Sequence, residues 1–252
     1  MYFDVISSGS KGNATLVLSH GKALLLDFGI SRRRVEKALS SYGLGFLDVE
    51  AFLLTHGHED HASDILSAPL EKVYAPYGKL SKDKELPKEH VLAPFQKLFL
   101  DPFVVTVLPV SHDFPNTMAF LADDGKEKLA YVTDTGFIPE KLFPYLKDAD
   151  YLLLESNHDS KMLYESKRPD YLIRRIISDK GHLNNTDCGC YFSLFIGEHT
   201  KECVLLHLSE ECNKKEIALE TVQKTIMGQL GYLPDVLFKC SSAREETKGG
   251  RE

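Results

Sequence analysis

Three imidazoles and an aspartate lie within six consecutive residues of the chain. The segment LLTHGHEDHAS places His56, His58, Asp60 and His61 directly after an apolar run that is typical of a strand. A loop held by a rigid strand can aim several side chains at one point, and imidazole and carboxylate groups are common ligands of divalent cations. The spacing therefore predicts a metal site, whereas a solvated polar loop would not need this concentration of ligands.

Three further candidate ligands lie at the ends of other predicted strands. His112 follows VVTVLPVS, Asp134 follows KLAYVT and His207 follows CVLL. Because strand ends are where open sheets present functional groups, these side chains are expected to join the histidine loop and complete two coordination spheres. The expected grouping is one metal with His56, His58 and His112, a second metal with Asp60, His61 and His207, and Asp134 as the bridge between them.

Two such cations would supply a nucleophile at neutral pH. A bound divalent cation lowers the pKa of water from about 15.7 to about 7, so a metal-bound hydroxide can attack without a serine or cysteine nucleophile. Two cations about 3.5–4 Å apart also stabilise the attacking and leaving oxygens together. Mixed imidazole and carboxylate ligands suit Zn, Mn or Fe. Asp27, at the end of KALLLDF, is expected either to orient the histidine loop or simply to form a turn.

The elements that must position these residues follow from the periodicity of the apolar residues. YFDVIS, ATLVLS and KALLLDF are separated by turn sequences, which predicts an antiparallel meander, and a helical pattern begins near residue 31. Residues 96–133 predict a second β region. Helices near 139–147, 169–178, 186–198 and 214–227 then alternate with the strands YLLLE and CVLLH. Two β-rich halves, each followed by helices, predict an α/β (α+β) fold, a four-layer αββα sandwich.

Length and composition place this fold in one domain. With 252 residues and 43% hydrophobic content, residues 1–241 can bury a single large core, and the polar segment 242–252 is expected to be a disordered tail. Five cysteines without CxxC pairing indicate free thiols in a reducing compartment, and no apolar run approaches the roughly 18 residues that a membrane span needs. A cytoplasmic protein with no membrane partner is therefore expected. The net charge of −7 does not itself suggest a nucleic-acid partner.

Taken together, these motifs resemble the metallo-β-lactamase superfamily. LLDFG, THGHEDH, the strand-end His112, TDTG at 133–136 and LHLS at 206–209 occur in the expected order over nearly the whole chain. ISSGSKGNA, PVSHD, ESNHD and GHLNN resemble the YycJ/WalJ branch, which is related to tRNase Z and RNase J and is regarded as acting on DNA as an exonuclease. The typical branch motif GHLSN is GHLNN here, because Asn184 replaces the serine.

This resemblance implies a dinuclear phosphodiesterase with DNA as substrate and partner. It implies that Glu155 orients His182, whose imidazole would protonate the leaving oxygen or contact the scissile phosphate. His158 is expected to line the pocket, with a surface loop histidine as the alternative. Arg174 and Arg175 are candidates for phosphate contacts that would offset the acidic net charge, with ordinary solvated helix faces as the alternative.

Other functions fit the same ligands. A glyoxalase II-like thioesterase, a lactonase or a β-lactamase could use the same dinuclear site, although Asp134 stands where many zinc β-lactamases have cysteine. A lactonase or thioesterase would prefer an apolar pocket to a basic groove. A di-iron redox protein normally needs a flavin or rubredoxin-like module, which does not fit in 252 residues, and a non-catalytic metal-binding module would not need all seven ligands. The choice of metal, DNA or RNA, and the oligomeric state stay open at this point.

Overall fold

The computed structural model describes residues 1–250, which form thirteen strands and seven α-helices. The strands are β1 Tyr2–Ser7, β2 Ala14–Ser19, β3 Lys22–Leu26, β4 Val49–Leu53, β5 Val73–Tyr74, β6 Lys97–Leu100, β7 Phe103–Pro109, β8 Met118–Asp123, β9 Lys128–Val132, β10 Tyr151–Glu155, β11 Glu202–Leu206, β12 Leu237–Cys240 and β13 Thr247–Gly250. The helices are α1 Arg32–Ser40, α2 Glu59–Ala62, α3 Phe143–Leu146, α4 Ser160–Tyr164, α5 Asp170–Ile176, α6 Asn185–Phe195 and α7 Lys215–Leu230.

The strands form two mixed sheets, one in each half of the chain. The first sheet has the order β13-β1-β2-β3-β4-β5, and the second has the order β12-β11-β10-β9-β8-β7-β6. Strands β1, β2 and β3 pair antiparallel, which confirms the predicted meander. Strand β4 is parallel to β3, while β7, β9, β10 and β11 all run in one direction within the second sheet. The C-terminal ends of these strands therefore meet at one edge of each sheet.

The main core lies between the two sheets. Side chains alternate along each strand, so Phe3 and Val5 of β1 face the interior together with Tyr131 of β9 and Tyr151 of β10. The rings of Phe3 and Tyr151 meet edge to face across the interface, with centroids 5.5 Å apart. All four side chains are buried, so the two halves share one hydrophobic core and fold as a single sandwich.

Helices cover the outer face of each sheet. Helix α1 buries Val35 and Leu39 against the first sheet, and α6 and α7 bury Phe192 and Val222 against the second. The order of layers is therefore helix, sheet, sheet, helix, which confirms the predicted αββα sandwich. Among the helices of residues 1–250, none is both long enough and apolar enough to cross a bilayer.

The C-terminal segment differs from the sequence expectation. Thr247–Gly250 form β13, which pairs antiparallel with β1, although residues 242–252 were expected to be a disordered tail. The backbone supplies the pairing, and Lys248 lies 3.5 Å from the buried carboxylate of Asp4. A polar sequence can add to a sheet edge in this way because main-chain hydrogen bonds do not require apolar side chains. Residues 251–252 lie outside the described residues.

Candidate metal centre

The histidine loop follows β4 and is held against the start of the first sheet. The one-turn helix α2 carries Asp60 and His61, and their carbonyl oxygens accept hydrogen bonds from the backbone N–H groups of Asn13 and Phe28, both at 2.7 Å. A Cβ at Gly29 would overlap the carbonyl of Asp60, so only glycine allows the loop to approach this closely. The loop is therefore fixed by backbone contacts before any cation binds.

His56, His58 and His112 form the first group of converging ligand atoms. Nε2 of His56 lies 2.9 Å from Nδ1 of His58, and Nε2 of His112 lies 3.4 Å from the same nitrogen. Burial lowers the pKa of His56 well below its usual range and also lowers that of His112. Burial therefore favours the neutral imidazole at His56 and His112, which is the form that binds a cation. The expected grouping of these three residues is brought together by the fold, with all their ligand atoms within 4.8 Å of one another.

Asp60, His61 and His207 form the second group. Oδ2 of Asp60 lies 3.5 Å from Nε2 of His61 and 3.7 Å from Nε2 of His207. Nε2 of His207 is buried and has no hydrogen-bond partner among the described residues. A buried polar atom without a partner is costly, so this nitrogen fits a bound cation. The ligand atoms of these three side chains also lie within 4.8 Å of one another.

Asp134 lies between the two groups. Its Oδ2 is 3.1 Å from Nε2 of His61, and its Oδ1 is 3.8 Å from Nε2 of His112. Burial opposes ionisation of Asp134, but His207 and His61 outweigh it and hold the pKa of this carboxyl well below its usual range. A permanent carboxylate that faces ligands of both groups is suited to the bridging position expected from the sequence.

Carboxylates also surround the buried imidazole of His207. Burial disfavours its charged form, but Asp134, Asp60 and Glu155 raise the pKa of His207 to about 10. These carboxylates favour a positive charge beside His207. A bound divalent cation can supply that charge in place of a proton on the imidazole. Both the charge balance and the donor set therefore fit bound divalent cations.

Three site residues share an unusual backbone conformation. Asp27, Asp134 and His207 have φ values of 59°, 51° and 55°, which lie in the left-handed region. For residues other than glycine this conformation costs on the order of 1–3 kcal/mol and is concentrated at functional sites. Each residue directly or closely follows the end of a strand, so the strain turns the side chain into the shared edge.

Asp27 supports the histidine loop. Its carboxylate accepts hydrogen bonds from the backbone N–H of Thr55 at 2.8 Å, from the Thr55 hydroxyl at 2.9 Å and from the Tyr131 hydroxyl at 3.1 Å. Its Oδ2 also lies 2.8 Å from Nδ1 of His61. This contact directs Nε2 of His61 toward Asp60 and Asp134, which favours the orienting role over the alternative of a simple turn.

Glu155 lies beneath the two groups and contacts two imidazoles with one oxygen. Its Oε1 is 2.8 Å from Nδ1 of His182 and 2.9 Å from Nδ1 of His207, while Oε2 accepts the Thr135 N–H at 2.9 Å. Burial opposes its ionisation, but His182 and His207 lower the pKa of Glu155 to about 2. Because N–H groups already occupy its oxygens, Glu155 is better placed to orient imidazoles than to bind a cation. Nε2 of His182 is left facing away from it.

The remaining predicted residues lie around this centre. His158 is only 1% exposed, which excludes the alternative of a surface loop, and burial lowers its pKa to about 4. Arg175 pairs with Asp113, whose Oδ1 lies 3.3 Å from Nε2 of His112. Arg174 is exposed on α5 and makes no ion pair within the described part of the chain. The fold thus brings Arg175 to the edge of the site, with Arg174 beside it on the surface.

Several supporting residues are not predicted from the sequence. The Asn13 amide lies 2.9 Å from Nε2 of His61, the Asn157 amide donates to the carbonyl of His207 at 2.9 Å, and the Ser8 hydroxyl accepts the His207 N–H at 2.8 Å. Ser8 and Asn13 belong to SSGSKGN, whose composition favours a hairpin turn over a loop that offers backbone N–H groups to a phosphate. Asp113 is also not predicted, although it directly follows the candidate ligand His112 in PVSHD and could have been recognised from that position.

The fold and this convergent set of imidazoles and carboxylates define a hydrolase of the metallo-β-lactamase type. Residues 24–207 match the family described as "Beta-lactamase superfamily domain", and the chain belongs to the metallo-β-lactamase superfamily. It is 31% identical to the exodeoxyribonuclease YycJ of Bacillus anthracis over 247 residues, which cover 90% of this chain and 89% of that protein. It is 29% identical to the exodeoxyribonuclease WalJ of Streptococcus pneumoniae over 261 residues, or 97% and 95% of the two chains.

A solved structure shows the same architecture. The metallo-β-lactamase fold protein YhfI from Bacillus subtilis superposes with a TM-score of 0.67 over 98% of this chain and 99% of that chain, at 19% identity. The predicted superfamily, the YycJ/WalJ branch and the fold are all confirmed. The chain is therefore a metal-dependent hydrolase, as expected from its ligand motifs.

Proposed function

We propose that this hydrolase is a dinuclear exonuclease that cleaves the phosphodiester bonds of DNA from an end. The observation that carries the proposal is the Glu155–His182 pair, which lies within 4 Å of the candidate bridging residue, with Nδ1 of His182 3.7 Å from Oδ1 of Asp134. Hydrolysis of a phosphodiester expels an alkoxide, which needs a proton, and this pair can deliver one beside the cations. The names of the YycJ and WalJ relatives support the same substrate.

The proposed metal ligands follow the observed groups. His56, His58 and His112 would hold one cation, Asp60, His61 and His207 the other, and Asp134 would bridge them. When bound, Zn, Mn or Fe ions would acidify a water molecule and stabilise the oxygens of the phosphoryl group. Asp60 would then be essential for catalysis because it would hold the second cation, and the Asp27 carboxylate would keep His61 directed toward that cation.

The proposed acid step depends on protein groups alone. The Glu155 carboxylate fixes the orientation of the His182 ring through Nδ1. Nε2 can then donate its proton to the departing sugar oxygen and recover it from solvent, because the His182 side chain is 19% exposed. General acid help of this kind typically contributes about 10²- to 10⁴-fold.

DNA would approach along the side of Arg175. Arg174 and Arg175 offer positive charge beside the centre, which a polyanion requires in a chain of net charge −7. His158 would line the pocket near Glu155 and His182 as a neutral imidazole. The five cysteines are all free thiols, which supports the expectation that the enzyme acts in the cytoplasm.

The test compares substrates on one metal-loaded preparation. Mn²⁺- or Zn²⁺-loaded protein is incubated with end-labelled DNA and RNA that carry 5′-phosphate or 5′-hydroxyl ends, and with a lactone and a thioester. Stepwise release of nucleotides from DNA is expected. Rapid turnover of the lactone or thioester with every nucleic-acid end intact would instead assign the site to small esters.

A further inference from the structure

Two tyrosine rings are left in solvent on one surface segment beside the candidate metal centre. Tyr164 at the end of α4 and Tyr171 in α5 are 63% and 74% exposed. Within residues 1–250, no ring pair or hydrogen bond joins either phenol to another side chain. Neither ring therefore contributes much to folding, and an exposed aromatic side chain is a candidate contact for a partner.

The segment 160–180, which we call the arm, is positively charged in an acidic protein. It carries six lysine and arginine residues against three carboxylates, whereas the whole chain has a net charge of −7. Arg168 is paired with Glu211 at 3.1 Å and Lys161 lies 3.9 Å from Glu165. In the described part of the chain, Lys167 and Arg174 have no such partner. The arm therefore complements a polyanion that the rest of the surface would repel.

In the sequence, the arm lies between two residues of the proposed active site. It leaves β10 shortly after Glu155 and returns at His182, whose backbone N–H donates to the carbonyl of Ile176 at 2.9 Å. Near its end, Arg175 pairs with Asp113, and Oδ1 of Asp113 lies 3.7 Å from Nε2 of His58. A polymer bound along the arm would therefore extend to the candidate metal centre.

Rings and cations alternate on the exposed surface of the arm. Tyr171 precedes Arg174 and Arg175 by three and four residues in α5, so the three side chains share one helix face. Four residues advance a helix by about 6 Å, which places a ring and a guanidinium on neighbouring turns. Tyr164, the last residue of α4, and the exposed Lys167 add a second ring and cation before α5 begins. Cations that follow a backbone, together with rings on which bases stack, are typical of single-strand binding.

We propose that the arm binds single-stranded DNA, with bases stacked on Tyr164 and Tyr171 and phosphates held by the neighbouring cations. The inference rests on the proposed nuclease function and adds the form of the substrate. A duplex hides the faces of its bases, so the rings would give it no comparable contact. The arm thus selects a single strand, or the unpaired end of a duplex, and delivers it to the centre.

The test replaces both rings in the full-length protein. We expect the double variant Tyr164→Ala/Tyr171→Ala to bind a fluorescent single-stranded oligonucleotide about tenfold or more weakly than the wild type. Binding is measured after chelation of metals, with a blunt duplex of the same sequence in parallel. Turnover of bis(4-nitrophenyl) phosphate, which is too small to reach the arm, should not change. Tyr164→Phe/Tyr171→Phe should keep its affinity, and Tyr232→Ala, at a tyrosine that is 62% exposed outside the arm, is the matched control.

The outcomes separate the arm from the nuclease proposal. If the double alanine variant binds single strands as the wild type does, or loses single strands and duplex equally, the arm proposal is overturned. If the double alanine variant degrades DNA at the rate of the wild type, the arm proposal fails and the nuclease proposal stands. If single strands bind in a tyrosine-dependent manner but metal-loaded protein cleaves no DNA, the nuclease fails and the arm stands.

Discussion

One oxygen of Glu155 serves two different imidazoles. Oε1 lies 2.8 Å from Nδ1 of His182 and 2.9 Å from Nδ1 of His207, so the same carboxylate orients the proposed acid and a proposed metal ligand. The two roles can be separated experimentally because His182 has the more exposed ring and His207 the buried one. Substitution of His182 removes only the acid, whereas substitution of Glu155 affects both imidazoles.

The first prediction concerns this separation. His182→Ala should lower turnover of DNA by on the order of 10²-fold or more, while the protein keeps both metals, because the residue acts on the leaving oxygen. Glu155→Gln should lower turnover and also weaken metal binding. The neutral amide oxygen would hold the two imidazole rings less strongly than the charged carboxylate oxygen does. Turnover and metal content are measured on the same samples. Loss of a metal from His182→Ala would make His182 a ligand and contradict the assignment.

A second residue-scale prediction concerns the buried carboxylate of Asp4, far from the histidine loop in the sequence. Burial raises the pKa of Asp4 although Lys248 opposes the shift. Because the pKa of Asp4 is higher in the folded than in the unfolded chain, stability is lost as pH rises from the unfolded pKa through the folded one. Asp4→Asn should therefore unfold at a higher temperature than the wild type at pH 7, and the difference should shrink below about pH 4.

Thermal unfolding at several pH values tests this prediction. The matched variant Lys248→Ala removes the cation 3.5 Å from Asp4 and should have the opposite effect at pH 7. If Asp4→Asn is less stable than the wild type at neutral pH, the hydrogen bond from the Tyr42 hydroxyl to the carboxylate outweighs the cost of burying its charge.

At the scale of elements, strands were easier to predict than the contacts between them. The short apolar runs in YFDVIS, ATLVLS and KALLL, bounded by turn sequences, identify β1, β2 and β3, whose side chains are buried on both faces of the sheet. The predicted helices near 169–178, 186–198 and 214–227 correspond to α5, α6 and α7. The short α4, β12 and β13 were not predicted, since their pairing and capping depend on residues distant in sequence.

The candidate site shows the same division. All seven proposed ligands stand at or after strand ends, where residue type and position can be recognised locally. Asn13 and Thr55 were missed because each is a common polar residue whose role exists only through contacts with His61 or Asp27. The local sequence carries no information about such contacts, which the topology creates.

The third prediction tests how elements are brought together at the histidine loop. Gly29→Ala should weaken metal binding, because its Cβ would overlap the Asp60 carbonyl and push α2 away from the strand end. Gly228→Ala in α7 is the matched control, since a Cβ there meets no atom within 4 Å. It should leave metal binding unchanged and stabilise the helix by up to about 1 kcal/mol. Metal affinity and unfolding temperature are measured for both variants. If Gly29→Ala binds metal as tightly as the wild type, the loop tolerates the shift.

At the scale of the whole molecule, the candidate metal centre lies at the seam between the two sheets. The first half contributes His56, His58, Asp60 and His61 from the loop after β4. The second half contributes His112, Asp134 and His207 from the ends of β7, β9 and β11. Each proposed cation takes ligands from both halves. Metal binding should therefore tie the halves together in addition to serving catalysis.

The last prediction is that metal removal lowers the stability of the entire sandwich. A cation that binds only the folded chain at 100 times its Kd adds about 2.7 kcal/mol per site, which for a chain of this size raises the unfolding midpoint by roughly 5–10 °C. Mn²⁺ is the suitable probe because the five free thiols would attract softer cations. His112→Ala removes the imidazole that the second half supplies to the first group and leaves the bridging Asp134, so it should reduce the increment of that site and keep the other. If the midpoint is the same with Mn²⁺ and with chelator, or if His112→Ala retains both increments, the cations do not join the two halves.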